Sequence, residues 1–286
     1  MILLIDAGNT RVKVAWLKPG DTRRSAPPLS LAHEELPGLA ARLDFAPRRI
    51  LASNVAGKGV RSALEHASRI AWDLPIHWHD ARDGQDLLLN GYREPARLGA
   101  DRWLGLLGLL RHVRDEPAWK AGGPCILASF GTATTIDTLA WQARPDGTRR
   151  AAFIGGLILP GAALMARSLS QGTADLPLAR GELADFPIDT DAAIVSGIAA
   201  AQAGALLRQR RLAADAYPGA RPLLFVSGGD WPRVQGELRA ALERAAPDRA
   251  EAEPPRWLDS PVLDGLASLA VPVPSLAAPA ARPETR

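Results

Sequence analysis

Residues 6 to 13 read Asp-Ala-Gly-Asn-Thr-Arg-Val-Lys, which sets a carboxylate, a glycine, an amide, a hydroxyl and an ammonium group within one short turn. Such a turn can cradle phosphate, because its backbone N–H groups face the anion and Gly8 admits it without a Cβ clash. The same residues also make an ordinary hairpin turn. A second turn, Phe130-Gly131-Thr132-Ala133-Thr134-Thr135-Ile136-Asp137, places three threonine hydroxyls beside a glycine, although threonine equally suits a plain strand. The pairing carries more weight than either copy, since a kinase with two similar halves around a nucleotide needs two such loops. Gly99-Ala100-Asp101-Arg102 then opens a strongly apolar stretch. There Asp101 can serve as a general base and Arg102 as an anion fork for a carboxylate, or Asp101 can simply cap the helix.

Strands and helices must hold these groups. Residues 2 to 5 are an apolar run, and Val12, Val14 and Trp16 alternate with Lys13 and Ala15, so Asp6 and Lys13 fall on two strands joined by the first turn. Residues 125–128 and 133–139 repeat the arrangement around the second. Arg49 to Ser53 reads as a strand, Gly59 to Ile70 as a helix, and Gly99 to Arg114 as a helix with leucines at 104, 106, 107, 109 and 110. Leucines on that many faces imply burial, either against a partner subunit or within the core. Asp115-Glu116-Pro117 ends that helix, which puts a domain boundary near 117 and predicts domains over 1–117 and 118–272. A helix is predicted over 189–213, and a strand over 223–226 that runs into Ser227-Gly228-Gly229-Asp230. Residues 273–286, rich in Ala and Pro, are expected to be disordered.

Composition removes other classes. The chain has 286 residues, 47% hydrophobic and 23% charged, a globular balance that argues against wholesale disorder. Its nearest approach to a membrane segment, residues 153–166, is short and interrupted by Gly and Pro, so no spanning helix is expected. The absence of a basic leader and the single Cys125 point to the cytoplasm. Net charge is +3, and all but four of the 34 basic residues are arginines. They are scattered without interleaved aromatics, which argues against nucleic-acid binding. His77 and His79 lack a third nearby ligand for a metal, Asp137 reads either as a metal neighbour or as a solvent-facing carboxylate, and Ser227 lacks the Gly-x-Ser-x-Gly setting of a hydrolase nucleophile.

Taken together, DAGNTRVK, Asn90-Gly91-Tyr92, GADRW (99–103), FGTATTID, Gly155-Gly156-Leu157-Ile158-Leu159-Pro160-Gly161 and Gly172-Thr173-Ala174-Asp175-Leu176-Pro177 resemble, in order, the type III pantothenate kinases. The resemblance implies an α/β fold of two ribonuclease-H-like domains, the actin-like ATPase fold, with the active site in the interdomain cleft. It further implies ATP-dependent phosphorylation of pantothenate to 4′-phosphopantothenate, the first step of coenzyme A biosynthesis, by a homodimer. By the same resemblance Asp6, Ala7, Gly8, Asn9, Thr10, Arg11, Val12, Lys13 and Thr132 bind ATP. Asp6 also holds Mg²⁺, through water, and Asp101 accepts the proton. Tyr92, Gly99, Ala100, Asp101, Arg102 and Thr173 hold pantothenate, and Gly228 and Gly229 pack against adenine or ribose. Ser129 stands where the family commonly carries an acidic residue that binds a monovalent cation, K⁺ or NH₄⁺; a hydroxyl brings no charge, which argues against that requirement here. The competing reading is a non-catalytic accessory or regulatory protein that keeps the kinase fold.

Overall fold

The structure, a computed structural model, describes residues 1–25, 27–245 and 253–271; the tail expected to be disordered, 273–286, lies outside them. The chain packs as two compact units. Among the described residues, the first holds 1–122, 139–155 and 259–271, and the second holds 123–138 and 156–258.

In the first unit five strands lie in the order β3-β2-β1-β4-β5: β1 (Ile2–Ala7), β2 (Val12–Leu17), β3 (Leu29–Leu31), β4 (Arg49–Asn54) and β5 (Ile76–Trp78). β1 is antiparallel to β2 and parallel to β4. This is the strand order of the ribonuclease-H-like domain that the family resemblance implies. The period-2 alternation of β1 sends Leu3, Ile5 and Ala7 to one face, where they pack with Val14, Ile50, Leu64 of α1 (Lys58–Trp72) and Leu36 and Leu39 of the 3-10 segment His33–Arg42. Against the other face lie α2 (Ala100–Val113) and α7 (Pro261–Ala270), α7 touching β1, β2 and β4.

Ten of the 14 residues of α2 are buried, among them Trp103 and leucines 104, 106, 107, 109 and 110. The sequence left open whether a partner subunit covers those leucines; α7 of the same chain covers them in large part. Two glycines allow it. A Cβ on Gly108 would lie 2.0 Å from the Pro261 carbonyl oxygen, and one on Gly265 2.0 Å from that of Leu104, so the backbones meet where any side chain would hold them apart. The same unit carries β6 (Leu89–Asn90), paired in parallel with the first part of β9 (Arg149–Pro160).

The second unit contains β7 (Cys125–Phe130), β8 (Ala133–Ala143, its first half), β10 (Leu223–Ser227) and β11 (Arg256–Trp257), in the order β11-β10-β7-β8. Its core joins Ile126, Ala128 and Phe130 to Ile194, Ile198 and Leu206 of α5 (Thr190–Ala216) and to Val234 and Leu238 of α6 (Trp231–Ala245). Asp189 caps α5, its carboxylate accepting from the Ala192 N–H at 2.8 Å. By length and composition α5 could cross a membrane, but its isoleucines face this core. Residues 153–166, the apolar run singled out above, divide between β9 and the start of α4 (Ala162–Gly172).

Candidate active site

The first turn is closed by the Gly8 N–H donating to the Arg11 carbonyl at 3.1 Å. A Cβ at Gly8 would meet that same oxygen at 3.1 Å, so even alanine crowds the loop. His33 Nε2 donates to the Gly8 carbonyl at 3.0 Å, which holds the turn against the 3-10 segment. Asn9 and Thr10 are left exposed at its tip. Arg11 is directed away from the tip: its Nε and Nη2 donate to the Ser30 hydroxyl and carbonyl at 2.7 and 2.9 Å.

Asp6 and Lys13 are directly opposed across the β1–β2 ladder. Burial pushes the Asp6 carboxyl up to about 6; the Lys13 charge opposes this and the Asp101 charge adds to it. Thus the structure gathers Asp6, Lys13 and Asp101 at the ends of β1, β2 and the start of α2, although nearly a hundred positions separate the carboxylates in sequence. Lys13 Nζ in turn donates to Ser260 Oγ at 3.2 Å.

Asp101 lies in the first turn of α2 but does not cap it. Gly99 is the cap, and Asp101 Oδ1 accepts from the Arg102 N–H at 2.8 Å. A Cβ on Gly99 would sit 2.7 Å from that oxygen, so a side chain at 99 would displace the Asp101 carboxylate. Arg102 is buried, and its Nη1 donates to the Tyr92 hydroxyl at 3.0 Å. Its guanidinium carbon lies 5.7 Å from the Tyr92 ring and 5.6 Å from that of Phe153, within cation–π range. The two rings stack at 5.8 Å. Tyr92 is placed by Asn90, whose Oδ1 accepts from its N–H at 3.0 Å, and by Gly91, where a Cβ would strike the Phe153 carbonyl at 2.1 Å. A buried guanidinium beside a phenol, next to a carboxylate, suits a small substrate that carries both a carboxylate and hydroxyls.

Thr132 and Thr173 belong to the second unit. Its turn is tight: the Gly161 N–H donates to the Thr132 carbonyl at 3.0 Å, and a Cβ on Gly161 would stand 1.9 Å from the Gly131 oxygen. Gly228, at φ +101°, packs onto Phe130, whose carbonyl a Cβ would meet at 2.0 Å. Gly161 and Gly228 of this unit therefore serve backbone contact around the turn. Thr132 is exposed, and Thr173 ends α4 with its hydroxyl donating to the Leu169 carbonyl at 2.7 Å. Asp137 is buried within β8 rather than facing solvent. His79 pairs with Asp83 at 3.2 Å while His77 is exposed, and among the described residues no three His, Cys, Asp or Glu side chains gather as a metal cluster would.

Sequence reasoning missed His33, Phe153 and Ser260. Only Ser260 carried a local signal, a serine before a proline at a helix start.

A family model for type III pantothenate kinases matches residues 2–211. The chain is 48% identical over 279 residues to a type III pantothenate kinase from Bordetella petrii, covering 94% of this chain and 97% of the relative. It is 45% identical over 276 residues to the one from Bordetella bronchiseptica, with the same coverage. Among solved structures, a conserved Baf family protein from Campylobacter jejuni has a TM-score of 0.53 at 16% identity, covering 93% of this chain and 96% of that one, a likeness of fold.

Proposed function

The chain belongs to the type III pantothenate kinase family, and on that premise we propose how its residues divide the work. It is a kinase that phosphorylates pantothenate with ATP, the first step of coenzyme A biosynthesis, on an α/β fold of the actin-like ATPase class. Phosphoryl transfer asks mainly for positioning and charge neutralisation. The observation that carries the assignment is the gathering of Lys13 and Asp101 about Asp6 on one side, and of Asp101 and Tyr92 about Arg102 on the other.

In this reading Asp101 accepts the proton of the attacking pantothenate hydroxyl, while Arg102, held by Tyr92 and Phe153, receives the substrate carboxylate. Gly99 and Ala100 supply close backbone, and Thr173 a hydroxyl. The Asp6–Lys13 turn takes the ATP phosphates, chiefly through Gly8, Asn9, Thr10 and the Lys13 ammonium, and Thr132 adds an ATP contact. Arg11 serves this turn by fixing it to Ser30. Asp6 suits a divalent ion: its carboxyl sits at the edge of ionisation in a partly buried place, so a hard cation would favour the charged form. Asp6 would hold Mg²⁺ through water, and the ion would supply charge neutralisation at the phosphates. Ser129 on β7 brings no carboxylate, which supports a kinase indifferent to K⁺ and NH₄⁺. A homodimer in the cytoplasm, without nucleic-acid or membrane partners, completes the reading. The accessory-protein alternative draws no support from a chain that keeps Asp6, Asp101, Arg102 and Tyr92 in contact-forming positions.

The test is ADP release from the purified protein with ATP, Mg²⁺ and pantothenate, with and without K⁺ or NH₄⁺. Pantothenate-dependent release that ignores the cation is expected. Dependence on K⁺ would remove the Ser129 argument, and no release with any cation would remove the catalytic reading.

A further inference from the structure

Ser260 stands before Pro261 at the start of α7, a position where a serine hydroxyl ordinarily accepts from the first N–H groups of the helix. Here it makes no such bond. The residue is buried, and its hydroxyl accepts from Lys13 Nζ at 3.2 Å while donating to Asp259 Oδ1 at 3.1 Å. An ammonium group has only protons to offer and an ionised carboxylate only lone pairs. The direction is therefore fixed, lysine to hydroxyl to carboxylate. With Asp259 accepting, the Ser260 proton points away from Lys13 and a lone pair faces it.

Asp259 is exposed, so something else must hold it. Arg24, on the loop between β2 and β3, does so twice: Nη2 donates to the Asp259 carbonyl, and Nη1 lies 3.6 Å from its carboxylate. Arg24 is in turn fixed by Nε donating to Asp264 Oδ1 at 2.7 Å, and His112 Nε2 donates to the other carboxylate oxygen at 2.9 Å. Burial pushes the Asp264 carboxyl up, but the bonds from His112 and Arg24 outweigh it and keep the group below the ordinary range. Asp264 follows Ser260 by about one helical turn, so one guanidinium spans the first turn of α7 and sets the chain on either side of the left-handed Ser260.

On the reading of Lys13 as a phosphate ligand, we propose that Arg24 and Asp259 are positioning residues for phosphoryl transfer, acting through Ser260 to hold the Lys13 ammonium at the phosphate turn. Lysine carries its charge on a flexible four-carbon stem and loses rotamer freedom when it engages a phosphate. An acceptor set in place on folding takes that loss in advance, so the gain falls on ATP affinity and not on the chemical step.

The experiment is steady-state kinetics of the full chain with ATP varied at saturating Mg²⁺ and pantothenate, beside urea unfolding of each variant. Asp259→Ala should raise the KM for ATP about three- to tenfold, as for one charge-assisted hydrogen bond loosened, with kcat and the KM for pantothenate unchanged. Asp259→Asn keeps an oxygen acceptor for Ser260 and should restore the wild-type KM; an equal rise in both variants would overturn the acceptor role. Arg24→Lys cannot serve Asp259 and Asp264 at once and should behave as Asp259→Ala does. Should it fail to fold, the variants at exposed Asp259 carry the test. In a Ser260→Ala background, Asp259→Ala should change the KM no further. A residue with only a structural role would lower the urea midpoint and leave the KM for ATP unmoved, or would add its effect to that of Ser260→Ala, and either result overturns the proposal. Lys13→Met separates the two claims. An unchanged KM for ATP in that variant overturns the phosphate-ligand reading and the proposal with it, whereas a raised KM there beside an unchanged one in Asp259→Ala overturns the proposal alone.

Discussion

Lys13 Nζ donates to Ser260 Oγ at 3.2 Å, although 247 positions separate the two residues. Ser260 holds φ 53° and ψ 60°, a left-handed conformation that costs a non-glycine residue about 1 kcal/mol or more. Strain of this kind persists where the surroundings fix it, and here it delivers a hydroxyl to the lysine of the phosphate turn.

Two substitutions separate the strain from the contact. Ser260→Gly should raise the unfolding midpoint in urea, because glycine accepts this backbone freely. Ser260→Ala keeps the strain and loses the hydroxyl. Both should raise the KM for ATP about three- to tenfold with kcat little changed, as expected when one charge-assisted hydrogen bond to a positioning lysine is removed. Steady-state kinetics with ATP varied at saturating pantothenate decide it; an unchanged KM in both variants would disconnect Ser260 from the phosphate turn.

The crossing of α2 and α7 has no room for a methyl group. A Cβ on Gly108 would also lie 3.2 Å from the Gly265 backbone nitrogen, so the two glycines serve one contact. Gly108→Ala and Gly265→Ala should each destabilise the protein by about 2–4 kcal/mol, the range for overpacking against an unyielding backbone. The double variant should lose less than the sum, since the first substitution already separates the helices. Urea unfolding of the three variants measures this, and near-wild-type stability of either single variant would contradict the packing described.

These relationships mark where sequence reading stops. Asp6, Lys13, Asp101 and Arg102 were legible because each sits in a short motif whose chemistry is local: strand, turn, strand, or a glycine opening a helix. The alternation of β1 and β2 likewise gives their pairing directly. Phe153 was not legible, because its place under Arg102 depends on the pairing of β6 with β9, two elements about sixty residues apart. The stretch from 153 onward reads as an apolar run broken by glycines, with nothing in its period to announce a strand. α7 escaped for a similar reason. Ten residues with short apolar spacing, just before an Ala- and Pro-rich tail, signal neither helix nor core until Gly265 is seen against Leu104. The burial of α2 was legible, but what buries it was a tertiary question.

Asp6 predicts a pH dependence with a definite sign. Its carboxyl is raised from 3.8 to about 6, so the folded state binds the proton more tightly than the unfolded chain. The stabilisation from this group is complete below pH 4 and is lost as pH rises through about 6. The side chain keeps some contact with solvent, so the effect is on the order of 2 kcal/mol. Asp80, Asp146 and Asp264 are shifted downward, and their contributions change below pH 4, outside this window. Asp6→Asn should therefore match wild type in thermal stability near pH 3.5 and exceed it by pH 7.5 in the absence of divalent ions. A stability difference that stays flat over that range would contradict the burial of the charge. Adding Mg²⁺ should stabilise wild type and not the variant.

Asp101→Asn tests the base and its coupling to Asp6 together. The asparagine Oδ1 can still accept from the Arg102 N–H, so the start of α2 and the overall stability should be kept within about 1 kcal/mol. An amide cannot take up the hydroxyl proton, and kcat should fall by about 10²- to 10⁴-fold, the usual contribution of a positioned general base. Because the Asp101 charge is one of the causes that raise the Asp6 carboxyl, removing it should also lower the pH at which Asp6 ionises. The stability loss that wild type shows as pH rises through about 6 should then be complete at lower pH and be smaller in the variant. A residue important only for folding would lose activity and stability together and leave the Asp6 titration in place. Loss of turnover with an intact fold and a shifted titration is the outcome that a base adjacent to Asp6 requires, and turnover equal to wild type would dismiss Asp101 from that role.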